Sequence, residues 1–295
     1  MKLVYLGSPE AAVAPLQALV AAGHEILLVV SQPDRKRGRG SALRPSPVKA
    51  AAAQLGLPVS DHAIDVLAAV ARGAELGVVV AFGQLIRKPL LDALPFVNLH
   101  FSLLPRWRGA APVERAILAG DAETGVCLMG LEAGLDTGPV FERVATPILE
   151  TDDLPSLRSR LVEIGTAMLL RRLSGGFSTL GSSEPQVGPF TYAAKLDPSE
   201  FAINWTSPSS TIARLVRLGV AFTTFRGKRL KVLRAVPIVD GDSGVAVAGR
   251  VHGVRVRTGD GLLELVEVQP EGKGPMNAHS WRNGAQPTEN DVMGR

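Results

Sequence analysis

Cysteine is nearly missing from this chain: Cys127 stands alone among 295 residues. That excludes an internal disulfide and any multi-cysteine metal centre. No uninterrupted apolar run reaches membrane-spanning length, and the opening MKLVYLGSPE is a short apolar strand with a turn after it, too brief for a signal peptide. Aromatic residues make up only 5%, so cores must be filled by the Ala, Val and Leu that dominate the 46% hydrophobic fraction, as where helices cover a parallel sheet. Two nucleotide signatures are lacking as well. The first turn, GSPEAA, has no G-x-G-x-x-G, and no G-x-x-x-x-G-K-[ST] occurs anywhere, which argues against a nicotinamide or nucleoside-triphosphate site. A soluble, cytoplasmic, metal-free chain is expected, long enough for two domains.

What the chain does have is a basic excess, unevenly placed. The formal net charge is +4. Residues 206–295 hold 13 Lys and Arg against 8 Asp and Glu, so this third alone carries +5. Elsewhere, Arg35, Lys36, Arg37, Arg39, Arg44 and Lys49 follow one another with no acid between them. Two separated basic zones suit a large polyanion, and a solvated charge run is the alternative.

Hydrophobic patterning divides the chain. Residues 1–6 read as a strand, Ser8-Pro9-Glu10 as N-cap, N1 and early acid of a helix reaching Ala22, and Gly23 as its stop. Strands follow near Ile26–Val30, Gly77–Ala81 and Phe96–His100, separated by alanine-rich helical stretches. Such alternation predicts an α/β domain built on a doubly wound parallel sheet. An amphipathic helix after Asp152 reaches Leu173 and ends at Ser174-Gly175-Gly176. Residues 175–205, rich in Gly, Ser and Pro, read as connecting chain, and a short helix is expected around Thr211–Leu218. Beyond it, period-two alternation with Gly-Asp and Gly-Asp-Gly turns predicts a small antiparallel barrel, a form that often binds nucleic acid. The expected division is 1–188, a linker over 189–205, and 206–295.

Chemistry concentrates between Val97 and Val140. Asn98 and His100 alternate on a strand end, so they project from one face. Asp136 follows in LDTG. Taken singly, a strand histidine is more often structural than catalytic, Asn98 could cap the following turn, and Asp136 could serve an ordinary turn. Together they lie beyond the carboxyl ends of strands, where open α/β sheets place their sites. An amide donor, an imidazole and a carboxylate to steer it make a set suited to acyl transfer.

The words N-L-H-F-S-L-L-P-R-W-R-G-A-A-P, G-D-A-E-T-G and G-L-D-T-G resemble the folate-dependent formyltransferases. SQPDRKRGRGSALRPSPVK resembles the basic insertion of the branch acting on an aminoacylated tRNA, VVVAFGQLIRKPLL the folate-pocket segment, and FRGKRLKVLRA with TGDGLLELVEVQPEGKGPM the C-terminal domain of that branch. The resemblance implies a Rossmann-like domain followed by an open, OB-like β-barrel, with 10-formyltetrahydrofolate as formyl donor and initiator methionyl-tRNA as acceptor. It implies a catalytic trio of Asn98, His100 and Asp136, folate contacts from Phe82, Gly83, Gln84, Leu85, Ile86, Ser102, Leu103, Leu104 and Pro105, and tRNA contacts from Arg35, Lys36, Arg37 and Arg39. No metal and no membrane enter, and nothing in the sequence demands more than a monomer. Transfer to a sugar nucleotide or small amine would keep the same trio, and the basic insertion argues against it. Two departures stand out. Phe101 occupies a position that is often Gly, and the segment between Arg217 and Phe225 is short where relatives are longer and Pro-rich.

Overall fold

The computed structural model of the protein describes residues 1–36, 43–238, 247–288 and 290–294. The chain divides into two compact units. One comprises Met1–Val113, Glu123–Pro147 and Leu157–Ala194, and the other Glu114–Ala122, Ile148–Ser156 and Lys195–Arg295.

The first unit is built on seven strands in the order Val140–Pro147, Glu123–Gly130, Phe96–His100, Leu76–Val80, Lys2–Gly7, Glu25–Val30, Val59–Ser60. The five from Phe96–His100 to Val59–Ser60 are parallel. Their sequences, LVYLG, ILLVV and LGVVV among them, are buried on both faces, as central parallel strands require. One strand departs from the all-parallel expectation: Glu123–Gly130 runs antiparallel to both its neighbours. The nine residues between Gly130 and Val140 are too few for a crossover, so the last strand must double back. The chain winds outward from Lys2–Gly7 on one side, then returns to continue on the other, which puts a topological switch point beside Gly7.

Local signals at the first helix are met in part. Gly23 adopts φ +83 and ends it as expected. Ser8 does not cap it. A 3-10 turn over Glu10–Ala12 precedes the α-helix Val13–Ala21, and Pro9, at the N-cap, offers no side-chain acceptor. Ser8 is instead drawn under the sheet ends, where its hydroxyl accepts from Gln32 N at 3.1 Å and lies 3.5 Å from Phe82 O. The long helix Leu154–Leu173 buries Leu157, Leu161, Gly165, Met168 and Leu169 along one stripe, the spacing of an amphipathic helix.

Cys127 is wholly buried on the antiparallel edge, and burial pushes its thiol up to about 11. Thiolate is the reactive form. The native protein is therefore expected to leave a thiol reagent unconsumed at pH 8 and to consume one equivalent once denatured, as an absorbance titration would show.

The second unit carries an antiparallel sheet in the order Phe222–Phe225, Lys228–Ile238, Leu262–Pro270, Arg255–Arg257, Val251–His252, with Met276–Asn277 added to Leu262–Pro270. It is open from edge to edge among the described residues. Alternating residues point to a core around Trp205, Leu230, Val232, Leu263, Leu265 and Trp281. The helix Ser209–Val216 contributes Ile212 and Val216, and Asp260, in the expected Gly-Asp-Gly turn, accepts from Ser209 N at 2.7 Å. The Gly241-Asp242 turn lies outside the described residues.

Candidate active site

Three strand ends and three returning loops of the first unit surround a cavity of about 530 Å³. Asn98 and His100 enter it from the end of Phe96–His100, and Asp136 from the loop leading to Val140–Pro147. The expected trio thus meets at one wall. His100 is 5% exposed, and both its ring nitrogens face protein acceptors. Nε2 donates to Trp107 O at 2.8 Å, and Nδ1 lies 3.6 Å from Asp136 Oδ2. Asp136 Oδ2 also accepts from Gly109 N at 2.7 Å. The Asn98 amide is different. It is 9% exposed, lines the cavity, and hydrogen-bonds to none of the described residues.

This arrangement depends on backbone held in unusual conformations. Trp107 and Asp136 adopt φ +64 and +51, which for side-chain-bearing residues costs about 1–3 kcal/mol each unless the surroundings impose it. The surroundings do. Trp107 N donates to Thr191 Oγ1 at 2.9 Å, and the strand pair Arg108–Gly109 with Tyr192–Ala193 continues the clamp. Gly109 has φ +117, and a Cβ there would lie 3.0 Å from Ala193 O. Gln186 spans the two loops that carry Arg108 and Asp136. Its Nε2 donates to Asp136 O and Gly138 O, both at 2.8 Å, and its Oε1 accepts from Arg108 Nε and Nη2 at 3.0 and 2.7 Å.

Gln186, Thr191 and Gly109 were not among the site residues expected from sequence. The first two sit in a stretch that reads as connecting chain, and their partners are 48 to 84 residues away, beyond the reach of local periodicity. Gln186→Leu keeps the size of the side chain and removes its four hydrogen bonds. Small displacements of catalytic groups cost up to about 100-fold, so turnover is expected to fall by tenfold or more, with folate affinity unchanged because Gln186 does not line the cavity. Steady-state kinetics with a folate-binding titration would check both halves.

Phe82, Gly83, Gln84, Leu85 and Ile86 all line the cavity. Phe82 and Ile86 are buried and anchor the loop in the core, while Leu85 is exposed. Ala81 at φ +47 and Gly83 at φ +74 turn this loop back on itself. Among the described residues, the backbone N–H groups of Gly83 through Ile86 have no hydrogen-bond partner. The turn Ser102, Leu103, Leu104, Pro105 is placed differently, and none of the four lines the cavity. Ser102 Oγ donates to Arg106 O at 2.7 Å, and Leu104 packs with Cys127, Met129 and Val140. The turn carries Trp107 back to His100. Phe101 does line the cavity, 8% exposed, so the bulk it adds falls at the site.

Of the basic residues, Arg35 is exposed and donates to Gln32 Oε1 at 3.2 Å, and Arg35–Lys36 pairs with Leu43–Arg44 as the stem of a hairpin. Arg37 and Arg39 lie outside the described residues. Among the described residues, no group of three or more His, Cys, Asp or Glu could hold a metal ion, and no helix is long and apolar enough to cross a membrane.

A doubly wound sheet presenting an amide, an imidazole and a carboxylate at its strand ends is the framework of an acyl-transfer enzyme. Residues 1–173 match the family described as Formyl transferase, and residues 195–286 match Formyl transferase, C-terminal domain. The chain belongs to the formyl transferase family. A curated relative, the methionyl-tRNA formyltransferase of Jannaschia sp. (strain CCS1), is 44% identical over 306 residues, covering 99% of this chain and 100% of its own length. Among solved structures, a variant of HypX from Aquifex aeolicus superposes on 96% of this chain with a TM-score of 0.67 at 15% identity, and this chain spans 48% of that one. The N-formyltransferase from Helicobacter canadensis, in complex with folinic acid and dTDP-3-aminofucose, superposes on 90% of this chain and 99% of its own, with a TM-score of 0.67 at 16% identity. These two likenesses describe the fold.

Proposed function

We propose that the protein transfers the formyl group of 10-formyltetrahydrofolate to the α-amine of initiator methionyl-tRNA, as a cytoplasmic monomer serving translation initiation. The observation that carries this reading is the Asn98 amide, unpartnered and aimed into the cavity beside a histidine whose ring is held at both nitrogens. Near-identity in length to a methionyl-tRNA formyltransferase at 44% identity supports the acceptor. The folinic acid bound to the Helicobacter canadensis protein supports the donor class. The cavity volume suits a flat bicyclic head, and the unpaired N–H groups of Gly83 through Ile86 offer donors to its ring heteroatoms.

The attacking amine forms a bond to the formyl carbon while the carbon's bond to folate N10 breaks. Negative charge gathers on the formyl oxygen, and Asn98 donates an N–H to it. His100 has both nitrogens turned toward Trp107 O and Asp136, so its role is to hold a proton with Asp136 rather than to contact the oxygen directly. The proton lost by the amine passes to the His100–Asp136 pair and is returned to N10, which leaves as the free amine. Arg35 and Lys36, with Arg37 and Arg39, supply salt-sensitive affinity for the tRNA phosphates.

The test is transfer of a labelled formyl group from 10-formyltetrahydrofolate to methionyl-tRNA, with initiator and elongator compared. Initiator-selective transfer that His100→Ala abolishes is the expected result. Labelling of a sugar amine instead of tRNA would overturn the acceptor and keep the chemistry.

A further inference from the structure

The two most exposed aromatic side chains among the described residues, Phe190 at 53% and Tyr192 at 56%, lie on the segment that pairs with Arg108–Gly109, of which Gly109 lines the cavity. They flank Thr191, which holds Trp107 N, and Ala193, whose carbonyl oxygen accepts from Ala110 N and Ala111 N. Burying rings of this size would contribute more than leaving them in water, and here Ala193 is buried and Thr191 partly so while the rings stay exposed. They meet edge to face, with centroids 5.3 Å apart and planes inclined at 72°. The Arg108 guanidinium lies 5.0 Å from the Phe190 centroid. Its Nε and Nη2 are taken by Gln186, and its Nη1 has no partner among the described residues. Arg106 stacks over Trp107 at 4.4 Å in the same loop. The acid on this stretch, Glu184, faces Arg143 at 4.0 Å.

Ring faces beside an available guanidinium N–H match unpaired nucleotides, whose bases stack on any aromatic face and whose phosphates seek a cation. An aminoacyl ester is attached to the terminal ribose of its RNA. With the amine at Asn98 and His100, the last unpaired nucleotides must lie at the rim, and Tyr192 pairs across the backbone with Arg108, adjacent to the Gly109 that holds Asp136. We propose that Phe190 and Tyr192 form a stacking platform for the unpaired 3′-terminal nucleotides of the RNA acceptor, with Arg108 Nη1 receiving an adjacent phosphate oxygen. The inference rests on the tRNA reading above and adds to it the surface that seats the acceptor's end.

Neither ring lines the cavity, so the platform acts on acceptor binding. In formyl transfer from 10-formyltetrahydrofolate to methionyl-tRNA, Phe190→Ala and Tyr192→Ala are each expected to raise the KM for RNA about tenfold. The KM for folate and kcat at saturating RNA should stay at the wild-type values. Phe190→Tyr and Tyr192→Phe keep a ring face and should keep the wild-type KM, whereas Phe190→Leu, apolar without a ring, should behave as the alanine variant does. A wild-type enzyme active on methionyl-tRNA, with KM unchanged in both alanine variants, would overturn the platform alone. A wild-type enzyme inactive on methionyl-tRNA would overturn the acceptor reading and the platform with it. A leucine variant with wild-type KM would also overturn the platform, because bulk rather than stacking would then suffice.

Discussion

Asn98→Ala is expected to lower kcat about 100- to 1000-fold, the usual consequence of losing one donor to a developing oxyanion. The size of the effect follows from the site. Asn98 is 9% exposed in the middle of a central strand paired on both sides, so the sheet fixes where its amide meets the cavity. The strand Phe96–His100 pairs on both sides, with Leu76–Val80 and with Glu123–Gly130, so truncating this one side chain leaves the fold in place. The KM for folate should change little, because the interaction strengthens only as charge develops. Single-turnover kinetics would separate the two. A kcat within threefold of wild type would remove Asn98 from the chemistry.

Asp136→Asn is the second large effect. The substitution preserves shape, and an amide oxygen can still accept from Gly109 N, which now binds the carboxylate at 2.7 Å. What it removes is the charge facing His100 Nδ1 at 3.6 Å. General acid–base contributions are typically about 100- to 10,000-fold, and a loss in that range is expected. His100→Ala should cost a similar factor, and the double variant should cost no more than the worse single one, as expected of two side chains that act as a unit. Multiplying losses in the double variant would show that they act separately.

Much of this could be read along the chain because the physics involved is local. Continuous apolar runs mark the buried parallel strands, and alternation at Asn98 and His100 places both on one face. The heptad-like stripe from Leu157 to Leu169 marks a helix. Local reasoning went astray at Ser8, where the residue types of an N-cap are present but its hydroxyl has partners on Gln32 and Phe82. It could not show that the Ser102–Pro105 turn packs on the antiparallel edge instead of lining the cavity. Most of all it could not assign Gln186, Thr191 and Ala193. Their composition is that of a flexible connection, and their order comes from hydrogen bonds to residues far back in the chain.

That last feature bears on how the enzyme comes into being at the ribosome. Asn98, His100 and Asp136 are all synthesised well before Gln186, Thr191 and Ala193, yet Trp107 N, Arg108 and the carbonyl of Asp136 have their partners on that later stretch. A nascent chain ending at Leu173 holds every strand of the large sheet and the long helix, but the loops carrying Trp107 and Asp136 at positive φ lack the hydrogen bonds that Thr191 and Gln186 supply. Contacts of such long sequence separation form late. Competence is thus conferred by the final pass of the chain across the site, and a prematurely released fragment would be folded yet chemically silent.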